Sequence, residues 1–350
     1  MKEDIDYQKE YISSIKNKFN YEEFLKKLDS SKNLKALIIG DSIIDQYVFV
    51  LPKARAMKDP ILSTHFKKEE DYAGGVLATA NHLSSYVNQI KLVTLVGDQN
   101  PKLDFIKNSL SKNIELEAFI KKNSPTTTKR RYMNIAKNNK LFKVDFMNDK
   151  PISENLSEKI VNYLSNELPK YDLVVVSDFG HGFINNPIRD TLEKKSSVLS
   201  ANVQSNSSNL GYNYINHYKN LDFIVINEDE LRLPLMMRFE DIEETIFKFH
   251  ERFKFEKFLV TMGKEGCLFF NKGELYTGPA LTKGVIDTVG AGDAVFSILS
   301  LFTYLDTDNE IIPFIGNCAG ALKTRYMGNK ESVTKEKLLN FVKGLYDGVG

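Results

Sequence analysis

Short apolar runs alternate along the chain with longer stretches in which apolar and charged residues recur at helical spacing. The apolar runs are 34–39, 92–96, 173–177 and 223–226, with a glycine-turned hairpin over 258–270. Helical spacing is found at 101–111, 153–168, 293–305 and 312–326. Runs rich in valine, isoleucine and leucine are typical of strands buried on both faces of a parallel sheet. The alternation therefore predicts a doubly wound, mainly parallel α/β sheet flanked by helices.

Two segments, at about 46–72 and 115–146, interrupt this alternation. Both are rich in β-branched and aromatic residues, and the first carries Pro52 and Pro60 without a helical pattern between them. We expect the two segments to form a lid, a small sheet of four or five strands that stands off the main sheet. An exposed apolar lid face would have to be covered by the substrate cleft or by a second subunit. A homodimer through the lid is therefore expected.

The first 33 residues have a different pattern from the rest. Apolar positions such as Ile12, Ile15 and Phe19 recur among lysines and glutamates, which predicts one or two amphipathic helices lying against the main body. Residues 1–33 are thus expected to be an N-terminal helical extension, and 34–350 a single domain with the lid strands inserted.

Composition limits the classes of partner. The chain has 350 residues, 42% hydrophobic, with 47 basic and 46 acidic side chains. This balance gives no overall field to attract nucleic acid or an anionic membrane. Cys267 and Cys318 lie in apolar runs, which favours reduced thiols, and no signal peptide or membrane-spanning run is found. A cytoplasmic location is expected.

The turn over 289–293 is the strongest candidate for chemistry. Gly290 and Gly292 bracket Ala291, so successive backbone N–H groups can point at an anion from the start of a helix. Asp293 follows, and at this stage two roles remain open for it. It is either the base that takes a proton from an attacking hydroxyl or a helix N-cap.

Further polar residues follow the predicted strands, at the edge where open α/β sheets bind ligands. They are Asp41, Asp45 and Asp178, together with the pair Gly74-Gly75, which opens a small-residue helix. Asp41 and Asp45 either contact a ligand or are a turn aspartate and its solvated neighbour, and the glycine pair either lets a ligand approach the backbone or packs its helix tightly against the sheet. The three carboxylates Glu228, Asp229 and Glu230 either hold Mg²⁺ through water or form the acidic first turn of a helix. The amide-rich loop at 202–217 either recognises sugar hydroxyls or is an ordinary polar loop. His82 is expected at a helix surface or cap.

Four of these motifs occur in one order: Gly40-Asp41 with Asp45, Gly74-Gly75, Asn227-x-x-Glu230 and Asp287-Thr288-x-Gly290-Ala291-Gly292-Asp293. In this order the chain resembles the ribokinase-like (PfkB-type) carbohydrate kinases over about 34–343. Within that family it is most similar to the kinases that phosphorylate heptose 7-phosphate at its anomeric carbon. That similarity lies in the stretches 125–132, 138–146 and 176–182.

The resemblance implies a role for each motif. Sugar binding would involve Asp41, Asp45, Gly74, Gly75, Lys129, Arg130 and Asp178, with Lys129, Arg130 and Arg131 as cations for a phosphorylated sugar. ATP would be bound by Asn227, Glu230, Thr261, Gly263, Gly266 and Asn317. Mg²⁺ would be held through water by Asn227 and Glu230, and K⁺ by Asp287 and nearby carbonyls. Asp293 would be the general base, and the N–H groups of Gly290, Ala291 and Gly292 would stabilise the transferring phosphate.

Three departures from the family pattern surround the sugar. Ala78 stands where asparagine is usual, with Asn81 one turn later; His181 replaces a favoured lysine; and 202–204 replaces an Asp-Pro-Lys-like run. The alternatives are a kinase of another sugar, an inactive sugar- or nucleotide-binding regulator, and a structural protein that uses the extension and lid as partner surfaces.

Overall fold

The computed structural model describes residues 2–18, 20–55, 59–207, 209, 211–282 and 284–347. Some residues of the predicted segments lie outside these ranges. They are Met1 and Phe19 of the predicted extension, 56–58 of the lid, Ser208 of the polar loop and 348–350 of the main domain. The helices are α1 (Lys2–Lys18), α2 (Tyr21–Ser30), α3 (Val76–Leu83), α4 (Leu103–Ser109), α5 (Glu154–Glu167), α6 (Asn186–Lys195), α7 (Glu228–Arg232), α8 (Ile242–Phe253), α9 (Ala291–Tyr304), α10 (Ile311–Lys323) and α11 (Lys335–Asp347). The strands are β1 (Lys35–Arg55), β2 (Leu62–Gly75), β3 (Gln89–Gln99), β4 (Ile114–Pro125), β5 (Thr128–Asn134), β6 (Asn139–Phe146), β7 (Leu173–Asp178), β8 (Leu199–Val203), β9 (Phe223–Asn227), β10 (Lys257–Thr261), β11 (Cys267–Asn271) and β12 (Glu274–Gly278).

The main sheet runs in the order β12-β11-β10-β9-β8-β7-β1-β3-β4. In this order, the seven strands β10, β9, β8, β7, β1, β3 and β4 are parallel, and β11 and β12 add an antiparallel edge. Successive side chains enter different cores: Ile38 packs in one apolar cluster, and Leu37 and Ile39 pack in the other. This alternation follows from the two-residue period of a strand that is covered on both faces. The structure confirms the predicted doubly wound sheet and its small β-lid.

Strand β1 joins the main sheet to the lid. It is 21 residues long and pairs with β3 as far as Asp41, then with the lid strand β2 from Ser42 onward. The first strand was expected to end at Ile39, before the lid segment at about 46–72, and this boundary is wrong because one strand continues through 40–45. Gly40 allows the strand to continue, because a Cβ atom there would lie 2.1 Å from the carbonyl oxygen of Ser177 on β7.

Within the described residues, the lid has the four strands β2, β1, β5 and β6. The segment 115–120 was expected to belong to it but lies in β4, parallel to β3 in the main sheet. Glu115 and Glu117 alternate with apolar residues, as in a half-exposed lid strand. They are tolerated because β4 is the edge strand, where Glu115 pairs with Lys91.

The N-terminal helices pack on the main body, as expected for amphipathic helices. The ring of Phe24 in α2 stacks on Phe302 of α9 with centroids 5.4 Å apart. Gln8 in α1 donates a hydrogen bond of 2.7 Å to the carbonyl of Ala280. In the described ranges, no helix combines the length and apolar character that crossing a membrane requires.

Candidate active site

Two neighbouring cavities lie at the carboxyl ends of the parallel strands. The first, about 360 Å³, is lined among others by Asp45, Gly75, Lys129, Arg131, Gln204, Asn227, Glu230, Gly290 and Asp293. The second, about 430 Å³, is lined among others by Gly263, Gly266, Ala291, Val295 and Asn317. Both have the size of small-molecule sites, which span roughly 300–1,000 Å³. They meet at Thr261, Thr288 and Gly292, which line both.

The turn of residues 289–292 separates the two cavities. Gly290 has a φ of 81°, and a Cβ atom there would lie 2.2 Å from Oδ1 of Asn329, so the position requires glycine. A Cβ atom on Gly292, by contrast, would meet nothing within 4 Å. The missing side chain of Gly292 therefore leaves open space where the cavities join, at the N-terminus of α9. Backbone N–H groups at such a position attract an anion.

Asp293 lies in the first turn of α9 and is 6% exposed. The N-cap of this helix is Gly290, and Asp293 makes no capping bond, so the capping alternative is wrong. The Asp293 carboxylate accepts a hydrogen bond of 2.9 Å from the amide of Gln204. Burial, and then the charge of Asp45, raise the pKa of Asp293 to about 7, against the lowering effects of Lys323, Lys129 and Gln204. A carboxylate with this pKa can both accept and release a proton near neutral pH.

Asp45 is the second carboxylate of the first cavity. Its two oxygens are held by Arg131, at 2.5 Å, and by the amide of Asn329, at 3.0 Å. Gly74 makes room for it, since a Cβ atom on Gly74 would lie 2.2 Å from Oδ2 of Asp45. Only Gly75 of the glycine pair lines the cavity. Gly74 thus acts on the site through the position of Asp45.

Asp41 and Asp178 are buried and neither lines the first cavity. Asp41 accepts backbone N–H bonds from Phe179 and His181, and Asp178 accepts from Gly180 and from the Tyr218 hydroxyl. Burial, and then the charge of Asp178, raise the pKa of Asp41 to about 7. Burial also raises the pKa of Asp178. In the structure the two carboxylates hold the loop that follows β7, and this loop brings Phe179 to the cavity.

Side chains of β5 alternate between the two faces of the lid. Lys129 and Arg131 line the first cavity, whereas Arg130 donates to Gln46 and lies over the ring of Phe146. The structure therefore separates Arg130 from the other predicted sugar-site residues. The Lys129 ammonium lies 5.5 Å from the centroid of the Phe179 ring.

Asn227 and Glu230 form a capping box at the start of α7, each accepting a hydrogen bond from the backbone N–H of the other. The helix-start alternative is therefore confirmed. Glu230 also accepts the N–H of Ser205, and burial raises its pKa to about 7. Each oxygen keeps a second lone pair, and both residues face the first cavity. The pair thus fits outer-shell binding of Mg²⁺ through water. No cluster of three or more His, Cys, Asp or Glu side chains suited to direct metal binding occurs among the described residues.

Asp287 precedes the turn and is nearly surrounded by donors. Its carboxylate receives Lys140 at 2.7 Å and the Tyr47 hydroxyl at 2.7 Å, both from the lid, and the N–H groups of Gly328 and Val289. Burial favours the neutral form, but the bonds from Lys140, Gly328 and Tyr47 outweigh it and lower the pKa to about 2. Asp287 is therefore a fixed negative charge that ties the lid to the turn.

Several amides of the polar loop after β8 bond to backbone carbonyls at the end of β7. Asn206 and Asn209 donate to the carbonyl of Phe179, and Asn213 donates to that of Asp178. Gln204 is different, because its amide reaches Asp293. The sequence indicated an amide-rich loop but did not identify Gln204 as the hydrogen-bond partner of Asp293, the candidate base.

The family departures are accommodated in different ways. Ala78 is buried in α3, and Asn81 bonds to Ser109 and Ser111 instead of the site. The ring nitrogens of His181 are buried without a partner in the described residues, and burial, then the charge of Lys129, lower its pKa to about 3. His82, expected at the surface, is buried, and its Nδ1 accepts the N–H of Val333.

Comparison with solved structures shows the same fold in several sugar kinases. A ribokinase from Thermotoga maritima has a TM-score of 0.68 and 17% identity, covering 89% of this chain and 99% of its own. A ribokinase from Arabidopsis thaliana, complexed with ribose and ATP, has a TM-score of 0.66 at the same identity and coverage. Phosphofructokinase-2 from Escherichia coli in complex with potassium has a TM-score of 0.69 and 13% identity, covering 90% of this chain and 99% of its own.

Curated relatives are similar over most of this chain. A bifunctional protein HldE from Helicobacter pylori (strain J99) is 26% identical over 299 residues, covering 84% of this chain and 64% of the relative. Its counterpart in a Nitratiruptor species is 26% identical over 268 residues, covering 76% and 56%. The chain thus spans less than two thirds of these relatives. The sequence model of the pfkB family carbohydrate kinases matches residues 33–336. The chain therefore belongs to the pfkB family of carbohydrate kinases, the class of ATP-dependent sugar kinases that the motifs predicted.

Proposed function

We propose that the protein transfers the γ-phosphate of ATP to a hydroxyl of a sugar or sugar phosphate. Heptose 7-phosphate, at its anomeric hydroxyl, is the substrate that the resemblance of residues 125–132, 138–146 and 176–182 favours. The observation that carries the proposal is the position of Asp293. A buried carboxylate with a pKa of about 7 lies next to open space at a helix N-terminus, between two cavities.

In the proposed mechanism the sugar occupies the first cavity and ATP the second. Asp293 accepts the proton of the attacking hydroxyl, so that the oxygen becomes a better nucleophile as it approaches the γ-phosphorus. The N–H groups of Gly290 and Gly292 stabilise charge on the transferring oxygens. The N–H of Ala291, expected to act with them, donates a hydrogen bond of 3.2 Å to the carbonyl of Thr288. The two cavities share Gly292, which supports in-line transfer between their contents.

Small and apolar side chains on one wall of the second cavity support its use by a nucleotide. Ala280, Val285, Val295 and Ala321 offer a surface for a base. Gly266 also lines this cavity and lets the backbone pack against Gly278, whose carbonyl oxygen would lie 2.1 Å from a Cβ atom at that position. Mg²⁺, when bound, neutralises the phosphates. Asn227 and Glu230 are the residues that would hold its waters.

Lys129 supports a substrate that already carries a phosphate. It is 9% exposed, lines the first cavity, and has no hydrogen-bond acceptor for its ammonium within the described residues. Burial lowers its pKa, so an anionic ligand would restore part of the lost solvation. Arg131 lies beside it but is already paired with Asp45. Lys129 is therefore the residue proposed to distinguish phosphorylated from free sugars.

The deciding experiment is an ATP-consumption screen over free and phosphorylated heptoses, hexoses and pentoses, run with wild type and Asp293→Asn. We expect turnover with a phosphorylated sugar and a fall in kcat of about 10²–10⁴-fold in the variant, the range for loss of a general base. ATP binding, measured by calorimetry, should change little. If another sugar is turned over and heptose 7-phosphate is inert, the substrate is wrong and the kinase remains. Near-normal turnover by Asp293→Asn would remove its role as base.

We also propose that the lid joins two copies of the chain. Phe142, Val144 and Phe146 alternate along β6 and are 53%, 39% and 41% exposed, on the face turned away from Lys129 and Arg131. A second copy can offer the same apolar face by two-fold symmetry.

Size measurement by light scattering tests the pairing. Wild type should be a dimer, and Phe142→Ser with Val144→Ser should be a monomer. Phe239→Ser, which removes an exposed aromatic side chain away from the lid, is the matched control and should stay dimeric. A monomeric wild type would contradict the pairing.

A further inference from the structure

Lys323 is a buried cation attached to the turn of residues 289–292. It is the last residue of α10, and its side chain is fully buried. Its ammonium donates to the carbonyl oxygens of Val289, at 2.9 Å, and Gly328, at 2.6 Å. A buried charge is costly unless it is paired and hydrogen-bonded, so these contacts fix where the ammonium lies.

The ammonium lies behind the turn rather than in the site. Val289 and Gly290 line the first cavity, and Lys323 lines neither cavity. A Cβ atom on Gly290 would lie 3.2 Å from Cε of Lys323, so the lysine chain packs directly against the turn. The charge is therefore close to the N–H groups proposed to receive the transferring phosphate, without occupying their space.

The potassium ion implied by the sequence resemblance does not fit this arrangement. It was expected behind the turn, ligated by Asp287 and nearby carbonyls. In the structure, the carbonyls of Val289 and Gly328 accept from Lys323. The carboxylate of Asp287 receives two side-chain and two backbone donors. An ammonium group of the protein thus holds carbonyl oxygens that the ion would need.

We propose that Lys323 is a built-in monovalent cation that holds the phosphate-binding turn and makes the enzyme independent of potassium. The inference rests on the proposed kinase function. A positive charge behind the N–H groups favours negative charge on the phosphate oxygens in front of them. Because the charge is covalently attached, it is present whatever the salt. Lys323 acts through the turn, so it is a positioning residue.

The first test measures kcat and KM of the wild-type protein in potassium, sodium and choline salts at one ionic strength. We expect changes of less than about twofold, since the cation that matters is part of the chain. A rise in kcat of about tenfold or more on adding potassium would overturn the inference and leave the kinase assignment intact. If no sugar is turned over in any salt, the kinase assignment fails instead. ATP affinity in the same salts then decides the inference: independence of potassium supports it, and dependence overturns it.

The second test replaces the cation. In Lys323→Ala we expect kcat to fall about 10²-fold, comparable to the loss of one transition-state donor. Potassium or methylammonium should restore part of it, a response that a purely structural lysine would not give. Lys337→Ala, which removes a lysine bonded to Glu331 and to the carbonyl of Ser332, should show neither loss nor rescue.

Wild-type turnover in a folded Lys323→Ala protein, or a loss that no monovalent cation repairs, would overturn the inference. If the variant does not fold, Lys323→Met keeps the buried chain without its charge and receives the same cation titration. The wild-type salt series needs no variant and tests independence of potassium by itself.

Discussion

The side-chain amide of Gln204 donates a hydrogen bond of 2.9 Å to Oδ1 of Asp293. This bond stabilises the ionised carboxylate and opposes burial, the main factor that raises the pKa of Asp293. An amide carried by the loop after β8 therefore adjusts the proposed base at the start of α9.

Replacing Gln204 by leucine should move the pH profile of the reaction. In the proposed mechanism the ionised form of Asp293 is the active base, so kcat/KM should rise with pH through about 7 in the wild type. Without the amide donor the pKa of Asp293 rises further, and the acid limb should shift to higher pH while the plateau changes less. Gln99→Leu, at an exposed amide, should leave the limb in place. An unshifted limb in Gln204→Leu would show that the hydrogen bond does not set the pKa.

Asp293→Asn should be more stable than the wild type at pH 8. The pKa of Asp293 is about 7 in the folded chain and 3.8 without the fold. Between these values the folded state binds more protons, so the unfolding free energy falls as pH rises through that window. Asparagine avoids this loss, which amounts to about 4 kcal/mol at pH 8 for a shift from 3.8 to about 7. Thermal unfolding at several pH values checks the prediction, and the stability gap should narrow as pH falls towards 5. A gap that is constant with pH would contradict it.

Gly292→Val should block the junction of the two cavities without unfolding the chain. A Cβ atom there meets no neighbour within 4 Å, so the added bulk can only fill the open space. We expect kcat/KM to fall roughly 10²-fold because the γ-phosphate is displaced. Gly344→Val, at another helical glycine with open space around it, should have little effect. Equal activity of the two variants would contradict the proposed path of the phosphate.

Lys129→Met should act on phosphorylated sugars alone. Losing a charged hydrogen bond costs about 1.5–3 kcal/mol, so KM for the sugar phosphate should rise roughly 10–150-fold. KM for the corresponding free sugar should be nearly unchanged. Arg130→Met, one position along β5 but on the other face of the lid, should raise KM much less. Equal effects on both sugars would mean that Lys129 does not contact the phosphate.

The sequence predicted the parts of the site that depend on local pattern. The turn from Gly290 to Asp293 requires small residues in a fixed order, so its position at a helix start could be predicted without tertiary information. The strand runs were likewise identifiable, because burial on both faces demands continuous apolar residues. The edge strand at 115–120 was misassigned because its two glutamates mimic a half-exposed lid strand.

The sequence could not predict the directions of side chains where long-range contacts decide them. Lys129 and Arg130 are neighbours of similar chemistry, and only the register of β5 against β1 decides that Lys129 faces the cavity. Lys323 looked like one more residue of an apolar helix, and its carbonyl partners come from two separate loops. Gln204 meets Asp293 across 89 positions of sequence. Such pairs are set by the whole fold.

The bonds from Tyr47 and Lys140 to Asp287 connect substrate entry with phosphate handling. Both donors come from the lid, whereas Asp287 belongs to the segment that carries the turn. Any movement that lifts the lid must withdraw two donors from this carboxylate and leave a buried charge less well compensated. The hydrogen bonds to Asp287, next to the turn, are thus complete only while the lid lies over the site. In the proposed kinase, lifting the lid would therefore weaken the phosphate-binding turn, which would limit the hydrolysis of ATP by water.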